Sequence, residues 1–171
     1  MRLLRTAAVL VLSVIMLLSV VGCSKSDSSD EGKEKEKVES KTAPVDKLFK
    51  GMEENDLDTF MSAFPKKFVT VCEEEGIDED FEELLDELED EYGDFKITYT
   101  VVDEDKLSTS DLDDFREMME EIDIDGDDIT EAWELELETV FKSSDEEEKE
   151  ELTLVVFKYN GKWYLDPTSM G

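Results

Sequence analysis

Apolar residues recur at intervals of three and four in the first part of the chain's polar body and at intervals of two in the last part. Val45, Leu48, Phe49 and Met52 lie at helical spacing, Asn55-Asp56 supplies a break and a cap, and Leu57, Phe60, Met61 and Phe64 repeat the spacing as far as Pro65. This pattern predicts a helical hairpin. The stretch 66–76 shows no decisive period. Ile77, Phe81, Leu84, Leu85, Leu88 and Tyr92 then share one stripe of a third helix whose other face is almost solid Asp and Glu, and Gly93 stops it.

After Gly93 the period becomes two. Across 94–103, Phe95, Ile97, Tyr99 and Val101 share one face and Lys96, Thr98 and Thr100 the other, as in a half-buried strand. Ser110 with Asp113 forms a capping pair ahead of Leu112, Phe115, Met118, Met119 and Ile122, which predicts another helix. From Ile129 to Phe141 the apolar Trp133, Leu135 and Leu137 alternate with Glu134, Glu136 and Glu138, so these acids face water. A polar turn over 143–150 leads into a strand over 152–159. Asn160-Gly161 offers the positive-φ pair of a tight hairpin before Trp163-Tyr164-Leu165 returns. Helices, a strand, a helix and three antiparallel strands make a single α+β domain of residues 44–171, with N-terminal helices packed on a curved antiparallel sheet.

The first residues have a different character. Arg2 and Arg5 precede an apolar run from Leu10 to Leu18, and Val20-Val21-Gly22 leads to Cys23. This arrangement resembles the lipobox of bacterial lipoproteins. The resemblance implies that residues 1–22 are a cleaved signal peptide and that the Cys23 sulfur takes a diacylglycerol and becomes the new N-terminus. The alternative is an uncleaved signal anchor, for which the apolar run is short against the ~20 residues of a membrane span. Between Ser24 and Ala43 only Val38 and Ala43 are apolar, and the alternating Lys33-Glu34-Lys35-Glu36-Lys37 lies among serines and acids. Such a composition cannot offset the entropy of ordering, so 23–43 reads as a lipidated cysteine and a disordered tether. The expected location is the outer face of the cytoplasmic membrane, with the membrane itself as a partner through the lipid on Cys23.

Charge narrows the chemistry. The 171 residues include 49 acidic and 18 basic side chains and no histidine, for a net charge of −31. Without histidine there is no serine triad, no imidazole proton shuttle and no His-ligated zinc or haem. The acidity argues against nucleic acid and against electrostatic binding to an anionic bilayer. Acidic runs such as 73–75, 82–83, 89–91 and 146–148 are spread over several elements, and no single face gathers all of them. They form a solvated acidic surface or recruit a cationic protein region. Cys72, the one cysteine of the domain, has no partner for an intramolecular disulfide and reads as a small buried hydrophobe.

The terminal Tyr159-Asn160-Gly161-Lys162-Trp163-Tyr164-Leu165-Asp166-Pro167, behind a helical layer, a strand and a helix, resembles the cone-shaped α+β fold of nuclear transport factor 2-like domains. It is similar more narrowly to exported lipoproteins of Gram-positive bacteria that carry such a domain. The resemblance covers residues 44–171 and implies a concave mouth used by relatives for catalysis, ligand binding or dimer formation. No catalytic motif of that family can be matched here, so none is carried over and no cofactor is expected. The candidate cavity residues are Tyr99, Glu131 and Trp133. Glu131 is the one acid expected to share the face of Ile129, Trp133 and Leu135, and in an apolar cone its pKa would rise far enough for acid or base work; otherwise it sits in water at the frayed start of its strand. Asp123, Asp125 and Asp127 are weak candidates for calcium, because the spacing from Asp123 to Glu134 puts Asp128 where an EF-hand needs glycine. The expected role is a non-catalytic binding or interaction domain whose partner is a cationic protein or a small apolar ligand. The alternatives are a small-molecule enzyme or carrier using the cone and a weak calcium-binding module.

Overall fold

The structure, a computed structural model, describes residues 39–144 and 147–169. The signal segment, Cys23 and the larger part of the tether lie outside the described residues. Four helices come first: α1 (Ala43–Glu54), α2 (Leu57–Met61), α3 (Lys66–Glu75) and α4 (Ile77–Tyr92). They are followed by β1 (Lys96–Lys106), α5 (Thr109–Glu121), a 3-10 turn at Gly126–Asp128, β2 (Ile129–Lys142), β3 (Glu147–Tyr159) and β4 (Lys162–Leu165). The four strands form one antiparallel sheet in the order β1-β2-β3-β4. The expected α+β order of helices ahead of an antiparallel sheet is therefore observed.

Local chemistry sets the boundaries. Pro44 sits in the first turn of α1, where its missing N–H costs nothing, and Asn55 ends the helix in the left-handed region at φ 47°. The Asp56 carboxylate then accepts the Thr59 N–H at 3.1 Å and caps α2. The corner is tight, and a Cβ at position 51 would run into the backbone of Phe60, so Gly51 is what lets α1 and α2 touch. The undecided stretch after Pro65 is helix α3, with Phe68 and Cys72 turned inward and Gly76, at φ 74°, joining it to α4. Burial, followed by the nearby Asp78 charge, pushes the Cys72 thiol up to about 12, which keeps it an inert core group.

Three boundaries differ from expectation. Helix α5 is capped by Ser108, whose hydroxyl accepts the Asp111 N–H, and not by the Ser110–Asp113 pair, because Ser108 is the residue with extended backbone at ψ 166°. The turn between β2 and β3 is shorter than 143–150. Pairing resumes at Lys142↔Glu147, and strand acids are tolerated there because their neighbours include Lys142 and Lys149. Ordered chain also begins before Pro44, since Glu39 receives Lys47 at 2.9 Å and Lys41 reaches Glu104 at 2.8 Å.

The sheet buries both faces unequally. On one face Leu135, Leu137, Leu154, Val156, Trp163 and Leu165 meet Val45, Phe49, Phe60, Phe64, Phe81 and Leu85 of the helical layer. On the other, Ile129, Ala132 and Phe157 meet Phe115 and Met119 of α5 in a smaller cluster. A bulge between Ile129 and Glu131 makes this division, because it shifts the strand by one residue and sends Ile129 to the α5 side. The displaced Ile129 carbonyl accepts two bonds from Arg116, through Nε at 3.1 Å and Nη2 at 2.6 Å. Glu131 thus shares a face with Trp133 and Leu135 but not with Ile129 as expected.

Candidate functional site

The three candidate cavity residues do not converge. Tyr99 pairs with Thr139 near the beginning of β1, whereas Trp133 pairs with Lys106 at its end. The Tyr99 ring lies 5.5 Å from that of Phe49, and its hydroxyl donates to Asp46 Oδ1 at 2.5 Å. Burial first, and then the Asp46 carboxylate, hold the phenol far above its ordinary ionisation range, so it acts as a fixed donor that ties β1 to α1.

Glu131 and Trp133 form a closed corner. Lys106 and Lys158 approach the Glu131 carboxylate to 3.4 and 3.6 Å, and the Trp133 indole N–H donates to it at 3.4 Å. Above the indole sits the Lys41 ammonium, 3.6 Å from the ring centre. Burial opposes ionisation of Glu131, yet the bonds from Trp133 and Lys106 and the charges of Lys106 and Lys158 outweigh it, and its pKa lies below the ordinary value. The expectation of a raised pKa at Glu131 is therefore reversed. The carboxylate stays ionised through the neutral range and is occupied by its neighbours, which leaves it no proton to trade near pH 7.

The acidic loop between α5 and β2 is spent on its own backbone. Asp125 accepts the Asp127 N–H at 3.0 Å, and Asp123 sits at φ 62° with Lys67 at 3.7 Å. Among the described residues no group of three or more Asp, Glu or Cys side chains is placed to hold a metal ion. An open cleft of about 570 Å³ between the α1–α2 corner and α4 is lined by Glu54, Asp56, Asp58, Glu82 and Asp86, among others. Asn55 bridges Asp86 at 2.9 Å and Glu89 at 2.6 Å across it. Its lining is polar, which suits no small apolar ligand.

The sheet face away from α1–α4 has a different character beyond the α5 cluster. There Asp103 stands directly opposite Glu136, Asp105 opposite Glu134, and Glu138 opposite both Thr100 and Glu151. All six carboxylate-bearing residues are exposed. Among the described residues, Lys149 is the one base whose ion pair reaches this ladder, at 3.8 Å from Glu138. Like charges in direct cross-strand opposition are destabilising, so this arrangement is not what folding alone selects. The alternation of Glu134, Glu136 and Glu138 was legible in sequence. Their alignment with Asp103, Asp105 and Glu151 depends on strand register and on a second bulge between Val101 and Asp103, which no local pattern reveals. Nor does sequence indicate that Lys106 and Lys158 gather around one carboxylate while Lys41 covers the indole beside it.

Comparison with protein families, curated proteins and solved structures finds no match to this chain. Among the described residues no helix is long and apolar enough to cross a membrane.

Proposed function

We propose that this chain is a lipid-anchored lipoprotein of the outer face of the cytoplasmic membrane, held through Cys23, whose domain binds a cationic protein partner without catalysis. The observation that carries the binding role is the ladder of opposed carboxylates on the open face of the sheet. A domain that needed only solubility could scatter its acids, whereas these are held in rows where mutual repulsion works against folding and where a basic partner would relieve it. The occupied Glu131 corner and the packed Tyr99 support a non-catalytic reading. The helical layer against one face, together with two bulges that bend the strands, supports the cone-shaped fold of nuclear transport factor 2-like domains.

Titration calorimetry of the full-length protein with decalysine tests the binding role. The affinity should fall steeply between 50 and 300 mM salt, as roughly expected when the Debye length contracts through ~10 Å. An affinity indifferent to salt, or no binding at low salt, overturns it. The anchor is tested separately: Cys23→Ser should release the protein from membranes, and retention of the variant with its leader uncleaved would identify a signal anchor instead.

A further inference from the structure

The two edges of the sheet are finished differently, because the short β4 leaves part of β3 as an edge. Along β1 the edge is blunted by carboxylates: Glu53 takes the Ile97 N–H, and the Asp103 side chain takes the Glu104 N–H at 2.9 Å. Along β3 the cover is partial. Strand β4 pairs only with Val156–Tyr159, and the chain just beyond it closes Val155, whose carbonyl accepts the Asp166 N–H at 2.9 Å and whose N–H donates to Ser169 Oγ at 3.2 Å. Val155 therefore presents both backbone groups away from β2. Because the antiparallel ladder alternates every second residue and β3 has no bulge here, Thr153, Glu151 and Lys149 present theirs the same way. Consistently, the intervening Glu150 carbonyl points to β2, where the Thr139 hydroxyl donates to it at 2.9 Å. Among the described residues nothing pairs with the outward backbone groups of Lys149, Glu151 and Thr153, whose side chains are exposed as well.

We propose that this open edge of β3 is where the cationic partner docks, as an extended segment that adds a fifth strand beside Lys149–Thr153. The proposal rests on the acidic-surface reading and specifies its geometry. Backbone pairing would supply the affinity, and the pleat would place alternate side chains of the partner on the carboxylate face beside Glu151, with Glu138 one strand further in. The residues between them would lie on the helical side, where Leu152 is flanked by Glu150. The fitting sequence thus alternates basic and apolar residues. Charge argues against a second copy of this chain as occupant, because each copy carries a net charge of −31 and antiparallel pairing of two β3 edges centred on Lys149 would set Glu147 against Glu151 and Glu148 against Glu150.

The test is binding of a Lys-Val octapeptide, four repeats long, to the full-length protein, compared with the same peptide N-methylated at every second residue. Methylation removes backbone donors and leaves the charge unchanged. The expected result is at least tenfold weaker binding of the methylated peptide, and a similar loss for the unmethylated peptide on Thr153→Pro, which removes an outward N–H without touching the β2 ladder. Equal affinity of the two peptides for the unaltered protein overturns edge docking while leaving the acidic surface as the binding site. Failure of both peptides to bind at low salt overturns the acidic-surface reading itself. Should Thr153→Pro fail to fold, the peptide comparison still decides.

Discussion

At its start β2 places Glu131 between Lys106 and Lys158 under an indole N–H; one pleat later the same strand places Glu134, Glu136 and Glu138 beside Asp105, Asp103 and Glu151. The first carboxylate is half-buried and fully partnered. The later ones are exposed and stand opposite their own kind. Both ends are glutamate on one strand, so the difference comes from which face each residue takes. Where a carboxylate borders the core, desolvation makes counterions obligatory; where it faces water, screening lowers the cost of repulsion enough for another selective pressure to place it. The contrast separates the part of the charge pattern that serves folding from the part available for binding.

The largest test of that division uses neighbours on β2. Leu135, fully buried against the helical layer, should cost about 3 kcal/mol when changed to alanine, through lost burial and the cavity left behind. Glu136→Ala, one residue on, should change stability by less than about 0.5 kcal/mol, because the side chain is exposed and its opposite number is Asp103. Urea denaturation of both variants measures the difference. Similar losses would mean that the two faces are not as distinct as their burial makes them.

A second contrast is between the exposed acids and Asp166, which is 3% exposed. Burial raises its pKa from 3.8 to about 6, against the opposing bonds from the Thr168 N–H and hydroxyl. An acid whose folded pKa lies above its unfolded one stabilises the fold at low pH and loses that contribution as pH rises through the folded value. Relative to Asp166→Asn, the unaltered protein should therefore lose about 2 kcal/mol between pH 4 and pH 7.5. Parallel denaturation curves at several pH values check this, and a difference that stays constant across that range would show that Asp166 carries no buried proton equilibrium.

Much of this contrast could be read before the structure, and the reasons are particular. The alternation around Trp133, Leu135 and Leu137 is strong because one face is buried and the other wet, and the Asn160-Gly161 hairpin needs two positive-φ residues that few other pairs supply. Helix α3 was illegible because only Phe68 and Cys72 of its ten residues are buried, too few to set a period. Ile129 was expected on the face of Glu131 and lies on the other because a bulge, held by Arg116 from a different element, interrupts the period of two. Asp166 gave no signal, since its burial depends on Thr168 and on the β3 edge folding over it. The open edge of β3 is likewise a property of strand order.

Removing the partnered charge should have a moderate effect. Glu131→Gln keeps an acceptor for the indole but leaves Lys106 and Lys158 facing each other without a counterion, and should cost about 1 kcal/mol. Added salt should shrink that cost by screening the two lysines. An unchanged melting curve would mean that the corner is held by Lys41 on Trp133 and by packing, not by its carboxylate.

The smallest effect on stability carries the most about function. Glu136→Lys converts a like-charge opposition with Asp103 into an attractive pair, so the variant should be more stable by about 0.5 kcal/mol. It also places a cation in the middle of the acidic face, so its affinity for decalysine should drop while the fold gains. A stability gain coupled to a binding loss is the behaviour of a residue retained for recognition at the expense of folding. If the variant is both more stable and equally good at binding, the carboxylate ladder has no share in recognition, and the acids of the α1–α2 cleft around Asp56 and Asp86 become the surface to substitute next.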